Sequence, residues 1–393
     1  MWVCDDIRSL DIEDDHYDYK EKLVFHTIWY DTDSSEEKKF LLNYYPRDNT
    51  LELIDTQLDR IFLKRTCLNG VHLQDMFIGN EIRVYGRQIK ITDCADNRTL
   101  QFIAKSSEHT IAVIKPDALD KIGEILKIIE ENEFRITKLK MCTLTRNQAE
   151  YFYDYLKDES FTLQLIDHLI SGPIVAIELV GEYATRRWNK LIGPSSPSEA
   201  RKTSPNSLRA LYGKERVTNA IHGSLNEEMA LEEAKFFFIQ YHASPALKHK
   251  NATCCVIKPH AVKEGNLGRI VASIQNSGFS ITAMQLFYLN DATANEFMQV
   301  YKGVVADYNA LLLSFVDGPC VALEISNKES DWDVHGQFRH FCGPYDTDIA
   351  RKIRPNSLRA KFGLDRYKNA VHCTDLHEDT FEELSYFFKL LNV

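Results

Sequence analysis

Pro205-Asn206-Ser207-Leu208-Arg209-Ala210 returns 150 residues later as Pro355-Asn356-Ser357-Leu358-Arg359-Ala360. Asn219-Ala220-Ile221-His222 returns at the same offset as Asn369-Ala370-Val371-His372. Upstream, Gly193-Pro194 and Gly343-Pro344 keep that spacing. Gly172-Pro173 and Gly318-Pro319 lie 146 apart, and Ile114-Lys115-Pro116 and Ile257-Lys258-Pro259 lie 143 apart. A match this long is a whole domain duplicated, not a solenoid unit. The growing offset places the insertions of the second copy in loops.

Each copy has the same coarse order of elements. Thr110 to Ile114 reads as a strand, and Ile122, Ile125, Leu126 and Ile129 then fall on one helix face. Leu267, Ile270, Val271 and Ile274 repeat that spacing. A strand follows (Lys138 to Leu144; Ala283 to Leu289), then a helix, the Gly-Pro and another strand (Ile174 to Leu179; Cys320 to Ile325). Leu231 to Tyr241 and Phe381 to Leu391 read as closing amphipathic helices. The order predicts an α+β sandwich for each copy. Residues 108–241 are copy A, 251–393 are copy B, and 242–250 read as a linker. About nine linker residues span at most roughly 30 Å, so the copies can pair within one chain.

Composition bounds the class. Hydrophobic residues make up 44% and charged residues 26% of 393, a globular balance. No run approaches a membrane span, and the N-terminus lacks the basic and apolar regions of a secretory signal. Nine cysteines contain no C-x-x-C pair, so no metal site is assigned, and a reducing intracellular compartment is expected. A net charge of −10 argues against nucleic-acid binding. Yet Arg186 to Arg216 holds eight Lys or Arg against two acids, and Gly336 to Lys368 eight against three. Local basic patches on an acidic chain suggest focused binding of small anions.

Before the repeat, residues 1–22 carry eight Asp or Glu against three Lys or Arg and read as a loose acidic tail. Residues 23–105 read as β-rich. Phe25 to Tyr30, Lys39 to Tyr45 and Leu51 to Asp55 are strand-like, with Pro46-Arg47-Asp48-Asn49 as a turn. Glu81 to Thr92 alternates Ile82, Val84, Ile89 and Ile91 around a bend at Gly86. Trp29, Tyr44, Tyr45, Lys64 and Arg65 are candidate surface contacts.

Lys-Pro-Asp after a strand, Gly-Pro before another, Ser-Leu-Arg, and Asn-x-x-His-Gly-Ser together resemble the nucleoside diphosphate kinases. The resemblance covers about 110–241 and 251–393, and it implies two tandem ferredoxin-like α/β sandwich domains. Residues 23–105 resemble a DM-ten module through Trp29-Tyr30-Asp31, Tyr44-Tyr45-Pro46, Phe62-Leu63-Lys64-Arg65 and Phe77-Ile78-Gly79-Asn80. The resemblance implies His222 as the phosphate-accepting nucleophile, with His372 its counterpart. It implies Ser224 and Glu233, and Thr374 and Glu383, as supports of those histidines. Lys115, Tyr153, Phe161, Ser195, Arg209 and Asn219 would bind nucleotide in copy A. Lys258, Arg339, Arg359 and Asn369 would do so in copy B. Mg²⁺ would arrive bound through the nucleotide phosphates, with ATP and nucleoside diphosphates as the substrates.

Both copies depart from the family pattern. Asn189 stands where a phosphate-binding arginine is expected, with Lys190, Arg187 and Arg186 as candidates to compensate, and Leu225 replaces an aspartate. In copy B, His260 replaces the aspartate of Lys-Pro-Asp, Cys373 the glycine after the histidine, and Tyr345 a small hydroxyl residue. Counting back from Pro319 puts the tyrosine and phenylalanine positions on Gln299 and Asp307, with Tyr301 and Tyr308 nearby. Two readings follow. One is a kinase moving the γ-phosphate of a triphosphate to a diphosphate through phosphohistidine, chiefly in copy A. The other is a scaffold. The resemblance implies cytoplasmic and cytoskeletal placement, in a ciliary axoneme or centrosome, with tubulin, microtubules and other ciliary or centrosomal proteins as partners.

Overall fold

The computed structural model describes residues 22–31, 34, 36–68, 71–106, 108–240, 247, 251–327 and 333–391. The acidic tail and the 242–250 linker lie outside these, except for Lys22 and Leu247. The chain divides into two compact units, one ending at Ala104 and one beginning at Lys105.

Alternating apolar residues build the first unit. Strands β1 (Leu23–Asp31), β2 (Glu36–Tyr45), β3 (Thr50–Asp55), β4 (Arg60–Cys67), β5 (Glu81–Val84) and β6 (Arg87–Cys94) form one antiparallel sheet. Their order is β4-β3-β2-β1-β6-β5, and the Asn97–Ser106 helix follows. Phe25, Phe40, Leu42, Leu53, Ile89 and Ile91 face the core. The expected bend at Gly86 is a two-residue hairpin in which Tyr85 and Gly86 both have positive φ, 47° and 84°. Glycine costs nothing at the second position of that turn. Tyr44 is not a surface residue. It is fully buried in this core, and its hydroxyl donates to Asn49 Oδ1 at 2.7 Å. Edge strand β4 does expose Ile61, Phe62, Lys64 and Arg65. Arg65 lies 3.7 Å from the Tyr45 ring centroid.

The second unit holds both repeats in one sheet. Copy A supplies β7 (Glu108–Ile114), β8 (Arg135–Cys142), β9 (Ile174–Gly181) and β10 (Ile221–Gly223). Copy B supplies β11 (Ala252–Ile257), β12 (Ser280–Tyr288), β13 (Pro319–Ser326) and β14 (Val371–Cys373). The order β10-β7-β9-β8-β12-β13-β11-β14 is palindromic in the repeats, and every neighbouring pair is antiparallel. Within each copy this is the split β-α-β-β-α-β order of a ferredoxin-like sheet. The ten-residue helix after the first strand of each copy, Ile122–Glu131 and Leu267–Asn276, buries the predicted stripe.

Those two helices lock the copies together. A Cβ on Gly123 would lie 2.1 Å from the Ala272 nitrogen, and one on Gly268 would lie 2.0 Å from the Lys127 nitrogen. Only glycine lets the backbones approach so closely. Each helix also caps the other. Glu130 accepts from the backbone N–H groups of Leu267 and Gly268 at 3.0 and 2.8 Å. Gln275 accepts from the Gly123 N–H at 2.9 Å and donates to the Leu119 carbonyl at 2.7 Å. These bonds satisfy orphan donors at both helix starts.

The closing segments differ from expectation. Each is a helix (Glu227–Lys235; Thr380–Ser385) that widens into a π turn (Phe236–Gln240; Tyr386–Leu390). The wide turns bring consecutive aromatics, Phe236 with Phe237 and Tyr386 with Phe387 and Phe388, into the core.

Candidate active site

In copy A, His222 sits on the three-residue strand β10, paired with Val113 of β7. The preceding chain is strained. Ala220 has φ 68°, and the Ile221 N–H donates to the Asn219 carbonyl at 2.8 Å, a γ-turn. The turn is held from several sides. The Lys115 N–H donates to the Ala220 carbonyl at 2.9 Å, and the Ala220 N–H donates to Asp117 Oδ2 at 3.0 Å. Asp117 Oδ1 lies 2.8 Å from His168 Nε2. Arg209 Nε donates to the Ile221 carbonyl at 3.2 Å and Nη1 to the Gly193 carbonyl at 2.7 Å.

The imidazole of His222 is buried. Its Nε2 lies 2.9 Å from Glu233 Oε1, and Ser224 Oγ donates to Glu233 Oε2 at 2.6 Å. With Nε2 bound to a carboxylate, Nδ1 is the nitrogen left to act as nucleophile. Phe152 and Tyr153 set their rings edge-on to the imidazole at 5.0 and 5.9 Å. Lys115 Nζ donates to Asn219 Oδ1 at 2.7 Å and to the Val217 carbonyl at 3.3 Å. Burial, with the nearby Arg209, pulls its ammonium down to about 7, and Asp117 opposes that shift. Asn219 Nδ2 donates to the Ser195 carbonyl at 3.0 Å, so Ser195 meets this group through its backbone. Phe161 stands at the start of the Thr162–Leu169 helix, half-buried, with the Arg216 guanidinium 4.2 Å from its ring centroid.

Copy B repeats the scaffold with altered chemistry. Ala370 has φ 69°, and the Val371 N–H donates to the Asn369 carbonyl at 2.9 Å. His372 Nε2 lies 3.0 Å from Glu383 Oε2, and Thr374 Oγ1 donates to the same oxygen at 2.8 Å. Burial pulls the His372 imidazole down, but the Glu383 charge and hydrogen bond outweigh it and leave it above its ordinary value. Where copy A has Asp117 accepting from Ala220, copy B has His260, whose Nε2 accepts from the Ala370 N–H at 3.3 Å. Burial and nearby lysines push His260 down to about 4, so it supplies no negative charge. Lys258 Nζ turns to Ser314 Oγ at 3.2 Å and the Tyr367 carbonyl at 2.6 Å, and burial with Arg359 holds it well below its ordinary value. Arg339 is tied to Asp375 by its Nη1 to the carbonyl at 2.7 Å and its Nη2 to the carboxylate at 2.9 Å. The other oxygen of that carboxylate accepts from the Tyr301 hydroxyl at 2.6 Å. Cys373 fills the position of Gly223, and Arg359 Nη2 approaches its sulfur at 3.6 Å. Asn369 Nδ2 donates to the Tyr345 carbonyl at 2.9 Å.

The nucleoside diphosphate kinase family model matches residues 108–242 and again 251–393. The chain belongs to the nucleoside diphosphate kinase family. It is 42% identical to nucleoside diphosphate kinase homolog 7 of Rattus norvegicus, over 95% of this chain and 94% of that protein. The same figures hold for the Mus musculus protein of that name. A nucleoside diphosphate kinase of Lawsonia intracellularis is 40% identical over 133 residues, which are 33% of this chain and 94% of that one.

Against that family pattern, two sequence readings need correction. The helix ending at Phe152 in copy A ends at Phe297 in copy B, so Met298, not Gln299, stands at the position of Tyr153. The count slipped by one because the loop before the next helix differs in length. Asp307 does stand at the Phe161 position, and there its carboxylate accepts from the Ala310 N–H at 2.9 Å. Copy B therefore has a helix cap where copy A has an aromatic ring. Arg187 does not compensate for Asn189. It donates to the Glu182 and Asn132 carbonyls and covers Phe134. Asn189 Nδ2 instead donates to the Ser224 carbonyl at 2.8 Å. Sequence reasoning also missed Phe152, Arg216 and His168. No short-range pattern marks His168, which meets Asp117 across 51 residues.

Proposed function

We propose that this chain is a working nucleoside diphosphate kinase, with copy A carrying the chemistry. Nδ1 of His222 attacks the γ-phosphorus of a triphosphate. The new N–P bond replaces the bridging O–P bond, and the diphosphate leaves. Glu233 steadies the imidazole as it gains positive charge. A second diphosphate then attacks the phosphohistidine and leaves as triphosphate. Lys115 and Arg209 offset phosphate charge, and Mg²⁺ enters with the nucleotide. The observation that carries this reading is the His222–Glu233–Ser224 relay beside buried Lys115. Copy B, whose histidine is held above and whose lysine is held well below its ordinary value, and which has Asp307 in place of the Phe161 ring, is the weaker or inert site.

Residues 23–105 form, on this proposal, a docking module for the acidic surface of microtubules in a cilium or centrosome. Exposed Ile61, Phe62, Lys64 and Arg65 on edge strand β4 support it. One set of proteins tests both halves. His222→Ala loses most phosphotransfer while staying folded. A chain lacking residues 1–105 keeps turnover and fails to co-sediment with microtubules. Near-normal turnover in folded His222→Ala, or unimpaired co-sedimentation of the shortened chain, overturns the respective half.

A further inference from the structure

Resting on that reading of copy A, we propose that His168 is a positioning residue for the phosphoryl transfer. It acts through Asp117 on the γ-turn that aims His222. The Asp117 carboxylate has two jobs. Its Oδ2 accepts from the Ala220 N–H at 3.0 Å, and its Oδ1 lies 2.8 Å from His168 Nε2. Ala220 holds a left-handed φ of 68°, a conformation that an alanine keeps only when its surroundings impose it. Two residues on is His222. A carboxylate held at one oxygen alone is free to rotate about its side chain, and with it the Ala220 N–H loses a fixed partner.

Copy B serves as the internal comparison. The position of His168 is Ser314 there, 146 residues on, the offset of the adjoining Gly-Pro pairs. The position of Asp117 is His260. Ser314 accepts from Lys258 instead, at 3.2 Å, and His260 accepts from Ala370 N–H at the longer distance of 3.3 Å. The two exchanges occur together, as expected if the pair is one device. His168 comes from the Thr162–Leu169 helix, whose start carries Phe161, so the device also ties the γ-turn to that helix.

The test is single-turnover phosphorylation of the full chain by MgATP, which separates the apparent Kd for nucleotide from the rate of phosphohistidine formation. His168→Ser, the residue copy B already accommodates, lowers the rate about 10- to 100-fold, the scale of a misaimed nucleophile. Its apparent Kd stays within about twofold, because the phosphate-gripping residues are untouched. His168→Gln, which can still donate to Asp117, recovers most of the rate. A His168→Ser rate within about twofold of wild type overturns the proposal. So does an equal loss in Kd and rate, or a Gln variant as slow as Ser, since ring packing alone would then account for His168. Wild-type chain that takes up no phosphate at all refutes the kinase reading itself, a separate result.

Discussion

Lys115 lies almost wholly out of solvent, and that placement sets the pH response of copy A. Burial and Arg209 lower its ammonium to about 7, while Asp117 pulls the other way. Its remaining neighbours, Asn219 Oδ1 and the Val217 carbonyl, are neutral acceptors. Neutralising phosphate charge needs the protonated lysine. Below about 7 the lysine is charged, above it neutral, so kcat/KM for MgATP falls as pH rises through that value. Asp117→Asn removes the opposing carboxylate, and the falling limb moves to lower pH in a pH-rate profile. An unmoved limb contradicts the assignment of that limb to Lys115. In copy B the same lysine has His260 in place of the carboxylate and sits well below its ordinary value.

At the scale of elements, the crossing of the Ile122–Glu131 and Leu267–Asn276 helices joins the copies. Gly268→Ala puts a Cβ 2.0 Å from a backbone nitrogen that cannot move away alone. Overpacking of this kind costs about 1–3 kcal/mol, more than the ~1 kcal/mol that alanine gains in helix propensity. Calorimetry of Gly268→Ala is expected to show a melting temperature lower by a few degrees. An unchanged or raised value contradicts the close crossing. The helix stripes at Ile122-Ile125-Leu126-Ile129 and Leu267-Ile270-Val271-Ile274 were legible because one face of each is apolar. The strands bearing both histidines were not, since three residues carry no periodicity. Strand β4 was missed for another reason: as an edge strand it exposes most of its side chains and lacks an inward stripe. Tyr44 was misplaced because an aromatic pair such as Tyr44-Tyr45 does not say which member faces inward. His222, Glu233 and Lys115 could be named from the family resemblance of their motifs, whereas His168 needed the fold to bring it to Asp117.

For the whole molecule, duplication produces one continuous sheet with a pseudo-twofold at the β8–β12 edge, where Gln285 pairs with Lys140. The two sites are therefore held in one body but differ in chemistry. Copy A has an aspartate beside its lysine, a glycine after its histidine and an aromatic ring at Phe161. Copy B has His260, Cys373 and Asp307 at those places. The central claim is that phosphate passes through His222. Its most direct test is to incubate the intact chain with [γ-³²P]ATP and Mg²⁺, quench in alkali, and map the acid-labile label by peptide. Label is expected on the peptide holding His222, and it is removed when a nucleoside diphosphate is added. Label confined to the His372 peptide, or none on His222, would contradict that claim.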